Sequence, residues 1–242
     1  MSDGFDKLLS LVDRLADEPT ARSGVVSQGN TRDWREARCG RFTASNFHQL
    51  VSKGGNFNEK GMSYIISRAT ERITGVSPAP SGMTDAMSRG IDLEPEAIEW
   101  LAAKWTDTIC RSSWRIHPVR TNLGSTPDFE VFEGQIPGDI KCPSSPAEYV
   151  WFATLDHDES GTALKAWNPR YYWQIMVQAY TSNRDYAALA YYYPELQEQF
   201  RHTVRIYRLT SLAKQIIEDT ADSAEIAVIG VMERMMNSKR IA

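Results

Sequence analysis

From 125 to 143 the chain reads Ser-Thr-Pro-Asp-Phe-Glu-Val-Phe-Glu-Gly-Gln-Ile-Pro-Gly-Asp-Ile-Lys-Cys-Pro. A turn at Glu133 and Gly134 would join a strand centred on 129–132 to a second centred on 138–142. Side chains two apart on a strand share a face, so Asp139 and Lys141 point one way and Ile140 points into the core. Asp128, near the start of the first strand, then comes level with Asp139. Two carboxylates and one ammonium converge.

Two hard oxygen donors beside a lysine suit a magnesium ion held by carboxylates, water and phosphate oxygens. Such an ion lowers the pKa of a bound water and stabilises charge on a phosphodiester. The lysine can orient the nucleophile or meet the developing negative charge. Pro-Asp followed by Asp-x-Lys is the pattern of the PD-(D/E)xK nucleases. Standing alone, the same residues also fit an exposed hairpin with a surface ion pair.

Other segments must position this hairpin and bring a substrate to it. Arg32, Arg35 and Arg38 are spaced to line one helix face, with Arg41 beyond the helix-ending Gly40. A second helix, starting at 43–45 and running through Phe47, Leu50 and Val51, would offer its free N–H groups and the Ser45 hydroxyl to an anion. An N-cap beside a solvated basic face accounts for the same spacing. Further on, Glu94 precedes Pro95, which belongs in a first turn or at a kink, in a helix whose core positions are Ala97, Trp100 and Leu101. Glu94 either compensates the helix dipole or, if its helix leans over the hairpin, adds a third acid. Gln174 and Gln178 are one turn apart on a helix expected over 169–183. They suit either a packing edge or, beside a metal, a water or backbone phosphate.

The 242 residues suffice for one sizeable core, so a single domain over 1–242 is expected. With 42% hydrophobic and 24% charged residues the composition is that of an ordinary globular chain. A net charge of −4 excludes a protein that holds nucleic acid by overall charge, so any DNA contact must be local. No apolar run is long enough to cross a bilayer and no signal peptide is evident, which makes the cytoplasm the default and a membrane partner unexpected. Cys39, Cys110 and Cys142 are scattered, and the four histidines lack ligand spacing, His117 reading as structural or exposed.

An amphipathic helix is expected at 3–17, then a loop at 18–30. A helix at 62–73 should turn Tyr64, Ile65, Ile66 and Ala69 inward. A strand within 108–119 should pair with the Asp128 strand, and two more are expected at 186–193 and 203–209. The closing helix, 211–236, has Leu212, Ile216, Ile217, Ile226, Val228, Ile229 and Met232 as its apolar side.

Five ordered segments resemble those of the phage lambda exonuclease and YqaJ-type viral recombinase nuclease family. They are Arg38-Cys-Gly-Arg-Phe-Thr-Ala-Ser45, Gly90-Ile-Asp-Leu-Glu94, Thr126-Pro-Asp128, Asp139-Ile-Lys-Cys-Pro143 and Tyr172-Trp-Gln174-Ile-Met-Val-Gln178. The resemblance covers a nuclease core of about 31–208. It implies an α/β (α+β) fold of the restriction-endonuclease type, a central mixed β-sheet flanked by helices.

It also implies a magnesium-dependent deoxyribonuclease, with manganese as an alternative ion. Asp128, Asp139 and the Ile140 carbonyl would bind the metal, with Glu94 on a second metal or a metal-bound water. Lys141 would act on the attacking water, Gln174 would position water or phosphate, and Arg38, Ser45, Thr126 and Arg41 would grip a 5′-phosphate. Such enzymes digest duplex DNA from the 5′ end, release 5′-mononucleotides and leave 3′ tails for recombination. The implied partners are duplex DNA with a 5′-phosphorylated end, two further copies in a homotrimeric ring, and a phage single-strand annealing protein in the bacterial host cytoplasm. Asp139 stands where the family usually has Glu, one methylene longer, and magnesium tolerates little error around its ~2.0–2.1 Å ligand distances. Glu130 is the substitute ligand this shortening suggests. An endonuclease of the same superfamily and a non-catalytic DNA-binding subunit are the alternative readings.

Overall fold

The structure is a computed structural model and describes residues 32–58, 61–78, 82, 84–105, 113–132 and 134–238. The helix expected at 3–17, the loop at 18–30, Cys110 and Glu133 lie outside the described residues. In chain order the elements are α1 (Arg32–Arg38), β1 (Phe42–Thr43), a 3-10 helix (Ala44–Gln49), α2 (Met62–Thr74), α3 (Asp85–Lys104), β2 (Arg115–Ile116), β3 (Leu123–Ser125), β4 (Phe129–Val131) and β5 (Ile136–Lys141). Then come α4 (Pro146–Thr154), α5 (Thr162–Trp167), α6 (Pro169–Thr181), β6 (Tyr186–Tyr192), a 3-10 turn (Glu198–Phe200), β7 (His202–Arg208) and α7 (Ser211–Ser238).

One mixed sheet of four strands has the order β4-β5-β6-β7, with β5 and β6 parallel and the other pairs antiparallel. The parallel pair needs a crossover, and α4, α5 and α6 supply it. Strand β6, Tyr-Ala-Ala-Leu-Ala-Tyr-Tyr, is buried on both faces. Its alternate residues feed two cores: Ala187, Leu189 and Tyr191 join α6 and α7, while Ala188, Ala190 and Tyr192 join Ile98, Leu101 and Trp105 of the α3 side. Helix α6 is buried from Tyr172 to Thr181. Such an all-round buried helix belongs in the interior, and it starts cleanly because Pro169 suits a first turn and Asn168 Oδ1 accepts the Tyr171 N–H at 3.2 Å.

Several expectations change. The described part of the strand expected in 108–119, β2, does not pair with the Asp128 strand. It pairs with β3, in a separate sheet of order β1-β3-β2. Gly124 allows this, because a Cβ there would lie 2.4 Å from the Trp114 ring. Helix α3 begins at Asp85, capped by the Thr84 hydroxyl, so Pro95 lies inside it rather than in its first turn. Ile91 and Pro95 are both exposed, so the missing hydrogen bond falls on the outer side of the helix. Ile66 on α2 is 48% exposed, and Leu212 and Ile226 on α7 are 70% and 72% exposed. Of the expected face of α7, Ile217 and Val228 are buried and Ile216 and Met232 pack against the core, and the small residues Ala213, Thr220, Ala221 and Ala224 complete an inward stripe that lets the helix pack closely.

Candidate active site

The hairpin is built from β4 and β5. Phe129 sits opposite Gly138, and the Asp128 N–H donates to the Gly138 carbonyl at 2.8 Å, which brings Asp128 level with Asp139. Glycine is required at 138 because a Cβ there would lie 2.1 Å from the Phe129 ring. Asp128 is aimed by its own backbone neighbour, since Oδ2 accepts the Ile140 N–H at 2.8 Å. On β5, Ile140 joins the α3-side core, while Asp139 and Lys141 form an ion pair on the other face.

Helix α6 closes over that face. Gln174 Nε2 donates to Asp139 Oδ1 at 2.5 Å and Gln178 Nε2 donates to the same oxygen at 3.0 Å, so both glutamines, one turn apart, serve one carboxylate. The Lys141 ammonium also donates to Gln174 Oε1 at 3.4 Å and lies 4.8 Å from the Tyr171 ring. Behind it, the Tyr171 and Tyr191 hydroxyls both donate to Glu148 Oε1, at 3.3 and 3.2 Å. The second bond from Gln178 and the Glu148–tyrosine support were not assigned from sequence. The Gln-x-x-x-Gln spacing was a signal for the first; no local pattern marks Glu148.

The electrostatics tie the groups together. Burial pushes the Asp128 carboxyl well above the usual carboxylate range, and the charges of Asp139 and Glu94 push it further, against Lys141 and the Ile140 N–H. Burial works against the Lys141 ammonium, but the charges of Asp139 and Asp128 outweigh it and raise its pKa. The Cys142 thiol is pushed up to about 12 by burial and by Glu94. Glu94 is therefore within electrostatic reach of the hairpin. Helix α3 is held there by Arg89, whose Nε donates to the Pro143 carbonyl at 3.0 Å and whose Nη2 meets Glu195 at 2.7 Å.

Among the described residues no group of three or more His, Cys, Asp or Glu side chains is arranged to hold a metal ion. The donors at hand are the two hairpin carboxylates. Asp139 Oδ2 is buried against the Lys141 ammonium, its one partner among the described residues, and a carboxylate oxygen with a second lone pair retains acceptor capacity. Two hard carboxylates with room left for water and phosphate oxygens fit magnesium, which gives up its waters reluctantly. Glu130 is otherwise engaged: its Oε2 accepts from Arg115 Nη2 at 2.5 Å, so it is not a spare ligand for a shortened Asp139.

The residues expected at a 5′-phosphate are placed unequally. Arg38 stacks on Trp34 at 3.9 Å and lies 5.4 Å from the Trp114 ring, and it makes no hydrogen bond or ion pair among the described residues. Burial lowers its pKa, as does the neighbouring Arg68. The Ser45 hydroxyl lies 3.4 Å from that of Thr43, at the start of a 3-10 helix rather than the expected α-helix. Thr126 Oγ1 is buried without a hydrogen-bond partner. Arg41 is engaged elsewhere, donating to the Thr121 and Ala37 carbonyls at 2.8 and 2.6 Å. Arg68, which the sequence did not single out, donates to Glu71 at 2.5 Å and to the Arg41 carbonyl at 3.1 Å.

No curated protein matches this sequence. Among solved structures the chain is similar to the alkaline exonuclease LHK-Exo from Laribacter hongkongensis, with 20% identity, a TM-score of 0.72, and coverage of 88% of this chain and 100% of that one. The complex of LHK-Exo with dAMP gives 20% identity, a TM-score of 0.73 and the same coverage. A phage-related exonuclease from Haemophilus somnus 129PT gives 14% identity and a TM-score of 0.64 over 81% of this chain and 96% of that one. At these identities the likeness is one of fold, and it agrees with the mixed sheet and flanking helices described above. The family model of the YqaJ-like viral recombinase domain matches residues 33–185, a span that runs from α1 through the hairpin to α6. By that match over more than half its length, the chain belongs to the YqaJ-like viral recombinase domain family.

Proposed function

We propose that the chain is a divalent-metal-dependent exonuclease that degrades duplex DNA from 5′-phosphorylated ends, releases 5′-mononucleotides and leaves 3′ single-stranded tails for phage-type recombination. One observation carries this reading: Asp139, buried beside Asp128, is held by two glutamines while a charged lysine stands against it. Asp128, Asp139 and the Ile140 carbonyl would hold magnesium or manganese, with Glu94 near enough to assist. The bound ion would supply Lewis acidity and a more acidic water.

The protein's own groups do the rest. Lys141 keeps its proton and is positioned by Asp139, Gln174 and Tyr171, so it can orient the nucleophile and meet negative charge on the phosphodiester. Gln174 and Gln178 restrain the Asp139 carboxylate, which compensates for a side chain shorter than glutamate. Arg38 is a half-buried cation that makes no ion pair among the described residues, although the charge of Glu71 reaches it. A terminal phosphate would pair with this guanidinium, with the Thr126 and Ser45 hydroxyls as further donors. A ring of three copies and a single-strand annealing partner belong to the same proposal. Enclosure would keep a chain of net charge −4 on its DNA without strong attraction.

A linear duplex labelled separately at each end tests this, with and without 5′-phosphate and with and without magnesium. Loss of the 5′ label first, dependence on the ion and preference for phosphorylated ends are expected. Loss of both labels at equal rates, or cutting of a covalently closed circle, would overturn the exonuclease reading.

A further inference from the structure

Helix α4 follows the hairpin, and Glu148 is its one charged residue. The helix is pinned to the edge of the sheet at both ends. Tyr149, next to Glu148, donates its hydroxyl to the Phe200 carbonyl and lies 3.0 Å from the Thr203 hydroxyl of β7. At the C-terminal end Arg205 of β7 donates to the Leu155 carbonyl and, at 3.0 Å, to that of Ala153. Glu148 therefore projects from a fixed support.

Its Oε1 accepts two phenols at once, Tyr171 on the first turn of α6 at 3.3 Å and Tyr191 on β6 at 3.2 Å. Tyr191 is the strand neighbour of Lys141, and its ring meets that of Tyr171 edge-on, with centroids 6.3 Å apart at 71°. Phe152, one turn on from Glu148, stacks on Tyr191 at 4.2 Å and fixes it from the other side. Burial raises the pKa of both phenols; Glu148 adds to the rise, and Lys141 opposes it at Tyr171. Both keep their hydrogens at neutral pH and donate them to the acid.

An apolar trio would fill the same space without desolvating a carboxylate. What the acid adds is direction. Its bond to Tyr171 fixes a ring that the Lys141 ammonium faces at 4.8 Å. An ammonium has three N–H groups, of which Asp139 and Gln174 take two. The ring attracts the charge without taking the third, which stays available to an oxygen of the substrate. A phenol that donates to a carboxylate is also richer in electrons, so one hydrogen bond both aims the ring and strengthens its hold on the cation.

We propose that Glu148 is a positioning residue for Lys141, acting through the Tyr171 ring that it orients. This rests on the exonuclease reading for what the ammonium does, but not for where it is held.

The test compares Glu148→Ala, Glu148→Gln, Tyr171→Phe and the double variant Glu148→Ala/Tyr171→Phe with the wild type. In EDTA, without substrate, the nitrogen resonance of the Lys141 ammonium reports its surroundings. Glu148→Ala and Tyr171→Phe each break the phenol–carboxylate bond, so both should move that resonance the same way, and the double variant no further. Glu148→Gln keeps an acceptor oxygen and should stay near wild type. On labelled duplex with magnesium, kcat should fall about tenfold in either single variant and no further in the double, with KM for duplex unchanged. A lowered Tm with resonance and kcat unmoved, or losses that add in the double variant, would overturn the proposal. A wild-type protein that digests no duplex while its resonance answers to both substitutions would sink the exonuclease reading and still support the link from Glu148 to Lys141.

Discussion

Gln174 spans the charged pair of the hairpin: its Nε2 donates to Asp139 Oδ1 at 2.5 Å, and its Oε1 accepts from the Lys141 ammonium at 3.4 Å. A residue that orients a metal-binding carboxylate typically contributes about 10–100-fold to metal affinity or activity. Gln174→Leu should therefore raise the magnesium concentration for half-maximal activity by about that factor. A magnesium titration of product formation measures it; an unchanged midpoint would remove Gln174 from the site.

Lys141→Ala removes the ammonium set against Asp139 and Asp128. Product formation should fall by about 10²–10³-fold or more, as when a charge-stabilising donor is lost, while duplex binding in EDTA persists. Turnover within tenfold of wild type would show that the ammonium serves structure alone.

Arg38, stacked on Trp34 and unpaired among the described residues, should matter for one end type only. Arg38→Ala is expected to slow digestion of 5′-phosphorylated duplex by about tenfold or more and to leave 5′-hydroxyl ends nearly unaffected. Rates measured side by side on the two substrates decide it, and an equal loss on both counts against the pocket.

Gly138→Ala drives a methyl group into the Phe129 ring, which leaves only 2.1 Å for it. Overpacking of this kind costs about 1–3 kcal/mol, so Tm should drop, and Phe129→Leu in the same chain should restore part of the loss. Denaturant melts of the single and double variants provide the comparison.

His202 lies against Trp100 at 3.8 Å and Tyr192 at 4.5 Å, and its buried Nε2 has no hydrogen-bond partner. Burial pulls its pKa from 6.5 down to about 4. The unfolded chain thus takes up the proton first, so stability is complete above about 6.5 and declines as pH falls toward about 4. His202→Phe keeps the ring contact and should flatten that acid limb. Superimposable profiles of Tm against pH would assign the limb to other groups.

The hairpin was legible because a strand has a period of two: once 138–142 is extended, Asp139 and Lys141 share a face whatever surrounds them. The strands near 186–193 and 203–209 and the helices at 62–73 and 169–183 were legible for the same reason, as runs long enough to show a period. Strands β1 and β3 are too short to show one. The inward stripe of α7 is legible only in part: Ile217 and Val228 are buried as their spacing suggests, but exposed Leu212 and Ile226 carry more hydrophobic weight in the sequence than the alanines that pack.

The amino-acid order alone determined which side chains stand together along each strand and helix, since that follows from backbone geometry within a few residues. Only the tertiary structure decided which faces meet. The glutamines of α6 close on Asp139, Arg89 brings α3 and Glu94 toward Asp128, and Arg115 engages Glu130. These partners are 15 to 54 positions apart. Their meeting depends on how two cores are filled on either side of one sheet, and no local spacing encodes that.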